Sequence, residues 1–274
     1  MKFYPIQQVI AAGIIILISA CNNLSTTKTQ PKVLIKEETV KYVSDSVKMQ
    51  GFLAYDESIR TKRPIVIIIP EWWGLTEYAK SRARQLADLG YLAFAMDMYG
   101  NGETADNPTR AGELAGPFYK NPMMAKAHFD AALNEIKKYE LADVSKIAAI
   151  GYCFGGGMVL NIARMGEDLN GAVSFHGSLM GVPADKNTLK ADILVLHGEA
   201  DKFVNVEEVA SFRHELDSIG AKYTFLSYPD ATHAFTNPKA TAMGEKFSMP
   251  IAYNAAADTA SWIEMNMFFE KIFK

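Results

Sequence analysis

The chain is predicted to fold as an α/β protein, with a mostly parallel central sheet and helices on both faces. Three observations predict it. Apolar, β-branched runs such as Ile65 to Ile69 have no polar side and suit strands covered on both faces. These runs alternate with segments of helical character, which supply the crossovers that parallel neighbours require. Glycines punctuate the junctions, above all in Gly151-Tyr152-Cys153-Phe154-Gly155-Gly156, where an apolar run stops and a helix begins.

Taken in order, residues 33–55 alternate as antiparallel strands do, with a turn at Ser44-Asp45-Ser46. Thr61-Lys62-Arg63-Pro64 leads into the Ile65 to Ile69 run, a central parallel strand. Thr76 to Leu89 reads as a helix closed by Gly90, and Tyr91 to Met96 as the next strand. Asp97 to Pro108 is a polar, glycine-bearing loop before a helical region that ends near Tyr139. Val144 to Ile150 is the strand before the glycine turn, and Cys153 to Met165 is its helix. Gly171 to Phe175, Ile193 to Leu196 and Tyr223 to Tyr228 are further strands, with a helix from Val206 to Ile219 before the last. A final helix is expected from about Ile251 to Phe273, packing through Trp262, Ile263, Phe268 and Phe269. In open sheets of this kind, ligands bind beyond the carboxyl ends of the strands.

Composition sets the outer bounds. At 274 residues, 49% hydrophobic and 22% charged, the chain is long enough for one large α/β domain. A formal net charge of −3 and the lack of a basic stripe argue against nucleic acid as a partner. There is no zinc-type Cys/His spacing and no internal repeat. Residues 1–20 read as a targeting segment, with Lys2 as the sole charge and an apolar stretch from Val9 to Ile18. Leu17-Ile18-Ser19-Ala20-Cys21 resembles a bacterial lipobox, which implies a lipid-carrying Cys21, a membrane anchor and an exported location. An ordinary secretory peptide or an uncleaved anchor are the competing readings. Residues 21–32 are polar and suit a flexible tether, leaving 33–274 for the folded domain. With Cys21 lipidated, Cys153 has no second cysteine to pair with.

The glycine turn reads as a nucleophile elbow with Cys153 at its apex. Neighbours lacking a Cβ let the chain pass closely, and the helix N-terminus beyond offers unpaired N–H groups to an anion. The alternative is a buried cysteine that only packs. Two other strand ends bring reactive side chains to the same edge: His197-Gly198-Glu199-Ala200-Asp201 and Pro229-Asp230-Ala231-Thr232-His233. The order nucleophile, acid, histidine matches a triad in which His233 moves the thiol proton and Asp201 orients His233. Asp201 alone also fits a loop cap, and His233 alone a metal ligand or a loop histidine. His176 and His197 are assigned structural roles, and a metal site from His176, His197 and His233 has no short ligand spacing behind it. Glu71, at the end of a buried run, is either a proton acceptor or a buried packing or capping charge.

Together, Pro70-Glu71-Trp72-Trp73-Gly74-Leu75, Asp97-Met98-Tyr99, the Cys153 turn, His197 to Asp201 and Thr232-His233-Ala234-Phe235 resemble the dienelactone hydrolase (carboxymethylenebutenolidase-like) family. The likeness runs over about residues 35–274. It implies an α/β-hydrolase fold, no cofactor or metal, and a triad of Cys153, Asp201 and His233 acting through an acyl-thioester. It further implies oxyanion contacts from the Trp72 and Phe154 backbone N–H groups, and a Glu71 that meets the thiol and assists its ionisation. Where members that open dienelactone carry two carboxylate-binding arginines, this chain has Asn101 and Asn237. Asparagine lacks the cationic fork, so the expected substrate is a small ester or lactone without a required carboxylate, held by Trp73, Tyr99, Asn101 and Asn237. Arg110 is a candidate to compensate. A thioesterase or peptide-bond hydrolase, a non-catalytic binding lipoprotein and a thiol redox sensor are the rivals, and the oligomeric state, monomer or otherwise, is left open.

Overall fold

The structure, a computed structural model, describes residues 1–2 and 33–274. The expected targeting segment 1–20, the expected tether 21–32 and Cys21 lie outside the described residues, apart from Met1 and Lys2. The chain opens with the antiparallel pair β1 (Ile35–Ser44) and β2 (Val47–Asp56), joined at Asp45-Ser46, with Asp45 at φ 52°. There follow β3 (Arg63–Ile69), α1 (Glu77–Asp88), β4 (Leu92–Ala95), α2 (Pro108–Lys120) and α3 (Pro122–Ile136). The second half comprises β5 (Ala142–Tyr152), α4 (Phe154–Arg164), β6 (Gly171–Phe175), β7 (Asp192–Gly198), α5 (Val206–Ile219), β8 (Tyr223–Tyr228), α6 (Ala240–Phe247) and α7 (Ala255–Ile272). The eight strands form one sheet in the order β1-β2-β4-β3-β5-β6-β7-β8. Pairing is antiparallel from β1 to β4 and parallel from there to β8. This is the α/β-hydrolase fold with a mostly parallel sheet.

The strand period of two divides β3 between two cores. Ile65, Ile67 and Ile69 pack with α2 to α5, whereas Val66 and Ile68 pack with α1 and α7. All five are fully buried, each worth about 1.5–3 kcal/mol of hydrophobic transfer, which explains the absence of a polar side in that run.

Three helical details depart from expectation. The helical region before Tyr139 is two helices, because Pro122 drives Asn121 to φ −138° and ψ 85°, out of helical space. Helix α6 was not anticipated. The last helix starts at Ala255 rather than near Ile251: Ser248 is left-handed, Pro250 follows, and the Asn254 side chain caps the Ala257 N–H at 3.0 Å. Ile251 instead bridges to His233 in parallel. Phe269 is fully buried and Phe268 and Trp262 pack beside it, but Ile263 is 52% exposed, since it lies on the outward stripe of α7.

Candidate active site

Strand β5 ends at Tyr152 and α4 begins at Phe154, which leaves Cys153 to make the turn at φ 55° and ψ −117°. A non-glycine residue enters that backbone region at a cost of about 1–3 kcal/mol and stays only where its surroundings hold it. A Cβ on Gly151 would stand 2.0 Å from the Gly155 carbonyl oxygen, and one on Gly155 would stand 2.2 Å from that of Ile69. Glycine is therefore the residue that lets α4 start directly on the sheet. The Cys153 N–H is shared between the Phe175 carbonyl at 3.0 Å and His176 Nδ1 at 3.1 Å. The half-buried thiol side of Cys153 opens on a cavity of about 210 Å³.

Asp201, just past β7, and His233, just past β8, reach the same edge. His233 Nδ1 donates to Asp201 Oδ2 at 2.8 Å, and the other oxygen of that carboxylate accepts the Phe203 N–H at 2.8 Å. Burial opposes a charge on His233, but the adjacent Cys153 and the hydrogen-bonded Asp201 outweigh it and lift its pKa to about 10. The buried carboxylate of Glu71 accepts Asn237 Nδ2 at 2.8 Å. Burial pushes its pKa up to about 7, against the pull of Asn237 and of the charges on His233 and Arg82.

Trp72 and Phe154 both line the cavity, and neither backbone N–H has a hydrogen-bond partner among the described residues. The rest of the wall is apolar: Tyr119, Phe203, Val204, Ala234, Met249 and Ile251, with Ser178 as the other polar member beside His233. No lysine or arginine lines it.

Four residues expected to hold substrate lie elsewhere. Trp73 packs between Trp72 and Phe247, with ring centroids 5.0 and 6.0 Å away, and is not among the residues that line the cavity. Tyr99 braces the wall from behind, donating its hydroxyl to the Trp72 carbonyl at 2.8 Å and packing on Phe154. Asn101 is exposed, its N–H bonded to the Lys48 carbonyl at 2.6 Å. Asn237 is 4% exposed and committed to Glu71. Arg110 is tied to Glu103 and Glu113 at the surface. Asp97 accepts the N–H groups of Gln50, Tyr99, Gly100 and Gly102 and so shapes the loop behind Tyr99. Among the described residues, no group of three His, Cys, Asp or Glu side chains is placed to hold a metal. Both ring nitrogens of His176 are taken by Cys153 and Thr236.

Tyr119, Met249 and Ile251 escaped the sequence reading because nothing local marks them. Phe203, two residues past Asp201 on the same strand-end loop, was within reach of it.

A search with family models matches residues 49–273 to the dienelactone hydrolase family. The chain belongs to that family. Protein usf of Aquifex pyrophilus is 32% identical to this dienelactone hydrolase-family protein over 208 residues, covering 74% of this chain and 88% of the relative. The crystal structure of a dienelactone hydrolase-like promiscuous phosphotriesterase from metagenomic libraries superposes with a TM-score of 0.82 at 32% identity, covering 87% of this chain and 98% of that one. The structure named m3DLH gives 0.83 and 32%, covering 88% and 99%. The protein is a dienelactone hydrolase-like hydrolase.

Proposed function

We propose that this protein hydrolyses a small, neutral carboxylic ester or lactone through Cys153, His233 and Asp201. The observation that carries the reading is the meeting, at one largely apolar cavity lined by no lysine or arginine, of the strained Cys153 turn and the Asp201-bonded His233. In this scheme Cys153 gives its proton to His233 and its sulfur attacks the carbonyl carbon. The oxyanion is held by the Trp72 and Phe154 N–H groups, the latter at the positive end of α4. The C–O bond breaks, His233 protonates the departing alkoxide, and a thioester remains. A water molecule gives a proton to His233 and attacks the thioester, the C–S bond breaks, and the sulfur regains that proton from His233 as the acid is released. Glu71, near neutral pH in its affinity for a proton, supports ionisation of the thiol. Trp72, Tyr119 and Phe154 offer aromatic surface to a neutral acyl group or ring.

The test is turnover of neutral short-chain aryl esters against dienelactone, with and without thiol alkylation, and with Cys153→Ala. Turnover that survives Cys153→Ala sinks the nucleophile assignment, and no turnover of any ester favours a binding protein on this fold. A neutral aryl phosphotriester belongs in the same screen, because a largely apolar cavity without lysine or arginine suits it and a structural relative of 32% identity is a promiscuous phosphotriesterase.

We also propose that residues 1–20 are a lipoprotein signal peptide and 21–32 a tether, so that the domain 33–274 is exported and anchored through Cys21. Radiolabelled palmitate should label the protein and fail to label Cys21→Ser; equal labelling of both would refute the anchor.

A further inference from the structure

His176 touches both Cys153 and His233 yet has no part in the scheme above. It follows β6, is 1% exposed, and has a left-handed backbone at φ 41°, directly beside the left-handed Cys153. Because its Nδ1 accepts the Cys153 N–H at 3.1 Å, the ring proton sits on Nε2, which donates to Thr236 Oγ1 at 2.7 Å. That oxygen is 2.6 Å from the Tyr78 hydroxyl, and the Thr236 carbonyl accepts Arg82 Nη2 at 2.7 Å. The ring also stands edge-to-face against His233 and Phe235, with centroids 5.4 and 5.1 Å away. One buried side chain therefore touches the backbone of the nucleophile, the ring of the base and the segment that carries the base.

We propose that His176 is a positioning residue that fixes Cys153 and His233 relative to each other. The inference rests on the reading of those two residues as nucleophile and base. Two strands, β5 and β6, end in strained residues that hold one another: the backbone strain at Cys153 persists because its N–H has two acceptors on the neighbouring strand end, Phe175 and His176. Only a neutral ring can play this part, since a second ring proton would point at the Cys153 N–H. Burial, then His233 and Arg82, and more weakly His197, hold the His176 pKa well below its ordinary value. Two histidines in ring contact are thus held differently: His176 stays neutral as an inert strut, while His233 carries the proton exchanged with Cys153.

The experiment compares His176→Phe, His176→Asn and His176→Gln in ester turnover, thermal unfolding and the pH profile of Cys153 alkylation by iodoacetamide. Phe keeps an aromatic ring, slightly larger than imidazole, and loses both hydrogen bonds, so kcat should fall about 100-fold, as for a misplacement of about 1 Å between reacting groups. KM should stay within about twofold, the alkylation profile should shift, and the unfolding temperature should change little. Asn can present Oδ1 where Nδ1 stands and should recover part of kcat; Gln reaches Thr236 instead and should recover less. Wild-type kcat and an unchanged alkylation profile in His176→Phe would overturn the proposal. Should that variant not fold, equal kcat values in the Asn and Gln variants would overturn it as well. Cys153→Ala assayed in parallel separates the two levels: turnover there fails the nucleophile reading and takes this inference with it.

Discussion

Replacing Glu71 with Gln should make the protein more stable in alkali while weakening its chemistry. Glu71 is 3% exposed, and its pKa stands at about 7 in the folded protein against an ordinary 4.5. For an acid whose folded pKa is raised, the contribution to stability is fully present below the unfolded pKa and is lost as pH rises through the folded one. The whole shift corresponds to roughly 3 kcal/mol, of which roughly 2–3 kcal/mol falls between pH 5 and pH 8. Gln keeps the shape and can still accept from Asn237, but it carries no charge at any pH. Urea unfolding of both proteins at pH 5 and pH 8 should therefore show the gap in unfolding free energy widening in favour of Glu71→Gln by roughly 2–3 kcal/mol. His233, whose pKa is raised to about 10, stays protonated in the folded state of both proteins between pH 5 and pH 8 and so contributes nearly equally to the two. A gap of equal size at the two pH values would refute the picture of a buried, titrating carboxylate. Ester turnover at pH 8 should fall in the same variant if Glu71 assists the thiol; higher stability with unchanged turnover would reduce Glu71 to a packing residue.

Asn237→Arg should set a guanidinium against Glu71 and bring its pKa back toward the usual carboxylate range, which a flatter stability profile between pH 5 and pH 8 would register. The ratio of anionic-lactone to neutral-ester turnover should not rise, and a rise would mean that residue 237 reaches the substrate after all. Gly155→Ala puts a Cβ 2.2 Å from the Ile69 carbonyl oxygen and 2.6 Å from that of Pro70, so it should destabilise by about 3 kcal/mol and lower turnover by pushing α4 off the sheet. Chemical denaturation checks it, and wild-type stability would show that the close approach is absent.

The fold was legible because its signals are local. The all-apolar run of β3 is readable from five residues, and the junction of β5 and α4 from the glycines around Cys153. The late start of α7 was missed because capping by Asn254 outweighed an apolar pattern that extends back to Ile251. At the site, the arrival of Cys153, Asp201 and His233 at one sheet edge followed from strand order alone, since parallel strands deliver their carboxyl ends to the same side.

What a side chain faces once it arrives is a different kind of fact. Asn237 and Arg110 sit at sequence positions that suggested substrate contact, yet the first is turned to Glu71, 166 residues away in the chain, and the second to surface carboxylates. His176 carries no mark that separates a packed histidine from one that grips the Cys153 backbone, because its partners, Cys153 and Thr236, are 23 and 60 residues distant. Sequence by itself determined the layered sheet, the strained turn and the chemical types gathered at one edge, all through interactions spanning a few residues. Only the tertiary structure decided which of those groups touch, which N–H groups remain free and which charges are buried, because each of these depends on packing between segments that no local pattern brings together.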